Sequence, residues 1–167
     1  MKNRKDDFMY KVISCQYGKK AEVLDLEDLK LETLQKLVGG YIEVLPLSDP
    51  DENVVLICNE EGWLRNMNAN RVVFNSDSGD VLSVIAGDFL ILTEKENEDG
   101  ELDFAGFDDE EILEKYLRQY YYPERILKNS LGVFGIPYEP DLKVDKTKDY
   151  DLEKQGPLIE SIDVLED

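Results

Sequence analysis

Residues 94–111 hold ten carboxylates against a single base, Lys95. Glu94, Glu96, Glu98, Asp99, Glu101, Asp103, Asp108, Asp109, Glu110 and Glu111 could do three kinds of chemistry. They could act as an acid–base pair, hold a hard cation, or present fixed negative charge to a basic partner. With so many acids, no one pair stands out as a glycosidase-type couple. Asn97-Glu98-Asp99-Gly100-Glu101 has the residue types of a calcium loop but not its spacing. Asp49, Asp51, Asn53 and Glu60 do have that spacing. There, however, Val54 takes the position that needs glycine, and Val55-Leu56-Ile57 fill the would-be loop. A turn followed by a buried strand is the expectation, with no metal site.

The chain has no histidine. Ser-His and Cys-His nucleophile pairs are therefore impossible. No phosphate loop of the G-x-x-x-x-G-K-[ST] type and no strand-linked G-x-G-x-x-G occurs. We expect no catalytic residue, no cofactor and no enzyme. Fixed charge remains. Duplex DNA carries about one negative charge per 1.7 Å of axis, and carboxylates on a folded surface can imitate it. The ten acids are thus expected to bind a partner, together with Tyr120 and Tyr121, which Arg118 and Arg125 flank. The other candidate is a small-ligand pocket, for a nucleotide signal, with Arg65, Asn68, Asn70 and Arg71 at its mouth.

The whole chain has a formal net charge of −19. Residues 1–20 hold six bases and two acids, residues 21–136 twenty-six acids and nine bases, and residues 137–167 ten acids and four bases. The acidity therefore belongs to the folded part as well as to the tail. Such a protein repels nucleic acid and membranes and attracts basic proteins. No apolar run approaches the roughly 20 residues of a membrane span, and Met1-Lys2-Asn3-Arg4-Lys5 opens no secretory signal. A cytoplasmic protein is expected, with Cys15 and Cys58 as buried thiols.

Several elements must position these residues. Residues 10–16 and 21–26 read as an opening hairpin around Gly18-Lys19-Lys20. Leu31, Leu34, Leu37 and Val38 recur at helical spacing between Asp28, a candidate N-cap, and the stop Gly39-Gly40. Strands are expected over 41–47, 54–58, 71–74, 81–85 and 89–92, and Trp63-Leu64 is expected to start a further return strand. Residues 94–100 read as a charged loop. Asp108 is expected to cap a helix, with Glu111 closing the box and Phe107 stapling onto Ile112. Pro123 ends that helix, and residues 124–129 read as a further helical turn. Leu158, Ile159, Ile162 and Leu165 could form one face of a short terminal helix.

The run Leu34 to Val44, with Asn59-Glu60-Glu61-Gly62, Asn70-Arg71 and Ala86-Gly87-Asp88-Phe89-Leu90-Ile91, resembles a domain family of unknown function, number 3846. The resemblance covers roughly residues 9–93. It implies genomic company rather than a mechanism: phages and mobile elements of Gram-positive bacteria, among anti-restriction and other counter-defence genes. The family brings no established active site, so no catalytic residue is carried over.

The expected fold is α+β. A mixed or antiparallel sheet of five to seven strands packs with two main helices, in one acidic domain over 1–136 followed by an acidic tail, 137–167, either loose or docked. The expected function is a phage or mobile-element counter-defence protein. It would occlude a host immunity factor that handles nucleic acid, and would not bind nucleic acid itself. The alternatives are the nucleotide-sequestering module and a non-inhibitory regulator or assembly factor of the element.

Overall fold

A strand that is apolar without alternation must be covered on both faces, and Val54 to Cys58 is such a run. The computed structural model describes residues 9–47, 53–75 and 78–140, and the backbone of Ile159–Ser161. Its elements are β1 (Tyr10–Cys15), β2 (Glu22–Leu26), α1 (Leu31–Val38), β3 (Ile42–Pro46), β4 (Asn53–Asn59), β5 (Ala69–Phe74) and β6 (Val81–Ala86). They continue with β7 (Phe89–Glu96), β8 (Leu102–Ala105), α2 (Glu110–Gln119), β9 (Glu124–Asn129), β10 (Gly132–Pro137) and β11 (Ile159–Ser161). The fold is α+β and rich in strands.

The main sheet has six strands in the order β2-β1-β7-β4-β3, with β8 beside β7. All its pairings are antiparallel. Strand β7 is the axis. Its first half pairs with β1 (Ile13↔Ile91) and its second half with β8 (Lys95↔Asp103), while β4 runs along its other edge. The pleat sends Val12, Val55, Ile57, Leu90 and Leu92 to one face, where Leu34 and Val38 of α1 meet them. Ile13, Leu56, Cys58, Phe89 and Ile91 point the other way, onto Leu113 and Tyr116 of α2, Tyr120 at its end, and Val73 and Ile85 of the β5–β6 pair. Each fully buried aliphatic side chain here is worth roughly 1.5–3 kcal/mol of transfer free energy. A third layer forms where Ile126 of β9 and Val133 of β10 pack on Val72 and Val84.

The structure differs from the sequence expectations at several places. Residues 124–129 are strand β9, not a helical turn. Pro123 ends the helix, and the Asn129 side chain accepts from the Leu131 N–H to turn the chain into β10. Trp63 and Leu64 lie in a turn region, and the return strand starts at Ala69. β7 runs on through Glu96 and hairpins into β8, so the first three residues of the expected charged loop are strand and the remaining four make the hairpin turn. Lys30, not Asp28, occupies the N-cap of α1. Asp28 instead accepts from the Lys30 N–H at 2.9 Å and the Thr33 hydroxyl at 2.5 Å, bracing the same turn.

Asp109, not Asp108, caps α2, accepting from the Glu111 and Ile112 N–H groups. Beyond residue 136 the chain stays in contact: the Tyr138 N–H donates to the Pro123 carbonyl. Ile159–Ser161 is a strand parallel to β9, where a helix was expected. Leu158, Ile162 and Leu165 lie outside the described residues. Asn53 begins β4 and Glu60 directly follows its last residue, so the strand, about 20 Å long by its rise, separates them, while Asp49 and Asp51 lie outside the described residues.

Candidate functional site

The acidic segment forms two exposed pieces, the β7–β8 hairpin and the first turn of α2. Asn97 organises the hairpin tip. Its side-chain oxygen accepts from the Asp99 and Glu101 N–H groups, both at 2.9 Å, and its amide donates to Asp103 at 3.1 Å. Gly100, at φ 80°, makes the left-handed step that closes the turn. Glu98, Asp99 and Glu101 are thereby held in solvent at the tip. Lys95 pairs across the strands with Asp103, and its ammonium lies on Asp108. Asp108, Asp109, Glu110 and Glu111 are exposed at the start of α2, where Asp109 caps and the helix dipole favours negative charge. These four therefore also stabilise their own helix.

The structure joins eight of the ten acids into one rim: the tip, Asp103 beside Lys95, and the helix start. Glu94 and Glu96 start from the other face, although the Glu96 carboxylate lies beside Gly100 at the tip. The pleat turns them to the opposite face of the sheet, alongside Phe104 and Leu102. Tyr120 leaves the candidate surface as well. It is 0 % exposed, packs against Phe74 and Phe89, and burial pushes its phenol upward. Tyr121 is half-buried at the far end of α2, about 15 Å from the helix start by helix rise.

Two residues of the expected ligand pocket are structural. Arg71 is 0 % exposed, so it cannot stand at a pocket mouth. Its guanidinium donates to the carbonyls of Tyr120 (2.8 Å), Lys19 (2.6 Å), Gln16 (3.5 Å) and Tyr121 (3.5 Å), and to the Asn70 side chain (2.6 Å). Burial lowers its pKa, yet a guanidinium keeps its charge in proteins. Asn70 is buried and donates to the carbonyls of Cys15 and Gly87, both at 2.9 Å. It occupies a register shift between Ala69 and Arg71 in the β5–β6 ladder. The bulge explains how neighbouring residues both reach inward.

The remaining motif residues join the same network. Asn59 donates to the Val38 carbonyl at 3.1 Å and accepts from the Glu61 N–H at 2.7 Å. Gly62 passes so close to the Ala86 carbonyl that a Cβ would sit 2.6 Å from its oxygen. Asp88 accepts from the Tyr17 N–H at 2.9 Å. The motif stretches thus converge at one end of the main sheet and fasten loops there. Between them lies an open recess of about 560 Å³, lined by Tyr17, Lys36, Asn66, Met67, Asn68 and Asp88 among others. Asn68 reaches it. Arg65 instead turns to the Gly39 carbonyl and Glu61, both at 3.4 Å.

Cys15 and Cys58 are buried free thiols, each pushed up to about 12, chiefly by burial. Among the described residues, no group of three or more His, Cys, Asp or Glu is arranged to hold a metal. No described helix is long and apolar enough to cross a membrane. Sequence reasoning misses Lys20 and Glu139, which meet beside Tyr121 and Tyr122. No local spacing links residues so far apart in the chain.

An antiparallel α+β domain with a bolted motif end and an acidic rim defines the class. The family model described as Domain of unknown function (DUF3846) matches residues 10–121, and the chain belongs to that family. The match runs past residue 93, where the stated resemblance ends, and takes in the β7–β8 hairpin and α2. The acidic rim therefore lies within the family domain and is not an appendage to it. No curated protein and no solved structure matches the chain.

Proposed function

We propose that this protein is a binder that occludes a basic, nucleic-acid-handling protein through its acidic rim. The observation that carries the reading is the rim itself. Glu98, Asp99, Glu101, Asp103 and Asp108 to Glu111 stand exposed on a braced hairpin and a capped helix start, with Lys95 as the one base in that segment. Preformed charge of one sign costs little reorganisation on binding and steers a basic partner toward it. Carboxylates would pair with the arginines and lysines that the partner uses for phosphates. In the phage or mobile-element setting that the resemblance implies, the partner is a cytoplasmic host immunity factor and the mode is stoichiometric inhibition.

The test is affinity capture from a Gram-positive lysate at about 0.1 M and about 1 M salt, between which the Debye length falls from about 10 Å to about 3 Å. A nucleic-acid-binding protein retained at low salt and released at high salt is the expected result. Capture of partners without basic surfaces, equally at both salts, would overturn the reading.

A further inference from the structure

Away from the acidic rim, at the C-terminal end of α2, two tyrosine rings and a carboxylate surround one ammonium group. Tyr121 and Tyr122 have ring centroids 5.0 Å apart and planes at 78°, making two walls of a corner. The Lys20 ammonium lies 5.5 Å from the first centroid and 5.6 Å from the second, and Glu139 pairs with it. Aromatic faces at right angles with an adjacent carboxylate are the groups that recognise organic cations, since ring quadrupole and anion attract the same charge.

We propose that Tyr121, Tyr122 and Glu139 form a binding site for an organic cation, an alkylammonium or guanidinium group, which the chain's own Lys20 fills in the free protein.

Backbone hydrogen bonds fasten the frame behind this site, whereas the occupant is a long side chain. The Ala21 N–H donates to the Tyr121 carbonyl at 2.7 Å, and buried Arg71 holds the Lys19 and Tyr121 carbonyls at 2.6 and 3.5 Å. The Tyr138 N–H on the Pro123 carbonyl, at 2.9 Å, sets the segment that carries Glu139. Lys20, by contrast, reaches in on a flexible four-carbon stem with 35 % of its side chain exposed. It can swing out without disturbing the backbone, leaving two ring faces and a carboxylate for another cation. The site lies at the opposite end of α2 from the hairpin and does not rest on the occlusion reading.

The source of the cation, a free quaternary ammonium compound or a basic side chain of a partner, separates in the test. Full-length protein and its Lys20→Ala variant are titrated with tetramethylammonium chloride and, separately, with N-acetyl-arginine amide, against sodium chloride at equal ionic strength. Proton NMR follows the probes, because ring currents shift protons held over tyrosine faces upfield. Lys20→Ala is expected to bind one or both probes saturably and about fivefold or more tighter than the unaltered chain. Preference for tetramethylammonium indicates a small ligand, and preference for the arginine probe indicates a partner side chain. Adding Tyr121→Ala and Tyr122→Ala should abolish the shift. If Lys20→Ala loses its circular dichroism signature, Lys20→Gln carries the same comparison. No saturable shift in the Lys20 variant, equal binding by the unaltered chain, or binding that survives loss of both rings would overturn the site.

Discussion

At one end of the main sheet Asn59, Asn70 and Arg71 turn their polar groups inward, onto backbone carbonyls. At the acidic end, the β7–β8 hairpin and the first turn of α2 turn carboxylates outward. The first region carries the motifs that look chemical in the sequence, including an Asn-Arg pair suited to a phosphate. The second carries residues whose bland reading is solubility. The sequence reading already sets the second ahead of the first, and the structure buries Asn70 and Arg71 away from any pocket mouth. A buried carbonyl without a donor costs about 1–3 kcal/mol, so loops that meet at a sheet end need long donors at fixed positions. Arg71 supplies several such bonds from one side chain, which leaves none of its reach for a ligand. At the rim, Asp103, Asp108 and Asp109 are engaged by Asn97, Lys95 and N–H groups in the first turn of α2, while Glu98, Asp99, Glu101, Glu110 and Glu111 stand exposed in solvent.

The comparison breaks most readily at Arg71. Arg71→Met fills similar volume but deserts carbonyls of Gln16, Lys19, Tyr120 and Tyr121. A loss of about 3 kcal/mol or more in urea unfolding is expected. A variant as stable as the parent would make Arg71 a spare group and reopen the ligand reading. Asn70→Ala leaves the Cys15 and Gly87 carbonyls without that donor, and about 2 kcal/mol is expected in the same assay.

Much of the fold was legible in the sequence, and its failures have physical causes. Leu34 and Val38 mark the buried face of α1 by helical spacing, and Val54 to Cys58 mark a central strand by unbroken apolarity. The extension of β7 was hidden because Glu94-Lys95-Glu96 is charged, and charge in a strand beyond the core resembles a loop. β9 was hidden because Glu124 to Asn129 is short, and its signal sits in the following Asn129-Ser130-Leu131-Gly132 turn. At the candidate site, the acid-rich segment could be read, but the pleat that turns Glu94 to the other face from Asp103 could not. Tyr120 shows the same limit. A triple tyrosine run invites an exposed role, yet only the end of α2 determines which ring enters the core.

Glu124 sharpens the comparison through pH. It lies against the motif network, accepting from the Val72 N–H at 2.9 Å, with Gly135 too close to carry a Cβ. Burial raises its pKa above the ordinary carboxyl value of 4.5, and the Val72 N–H and Arg71 offset this only in part. The folded state therefore binds this proton more tightly than the unfolded state. Its contribution is fully present below 4.5 and is lost as pH rises through the folded-state value. Glu124→Gln should remove that fall. Urea midpoints of the two proteins from about pH 4 to about pH 7 are the check, and parallel curves would mean that Glu124 is not held in a desolvated site.

The smallest expected effect on stability, and the largest on binding, belongs to the rim. Glu98→Gln, Asp99→Asn, Asp108→Asn and Asp109→Asn, combined in one chain, remove four exposed charges and keep side-chain shape. Asparagine retains the cap at 109, and the exposed Lys95–Asp108 pair is worth about 1 kcal/mol or less. The most direct measurement is therefore low-salt capture by this quadruple variant beside the unaltered chain, with unfolding followed in parallel. The account expects an almost unchanged urea midpoint and loss of the salt-sensitive partner. Undiminished capture of that partner by the variant would contradict it.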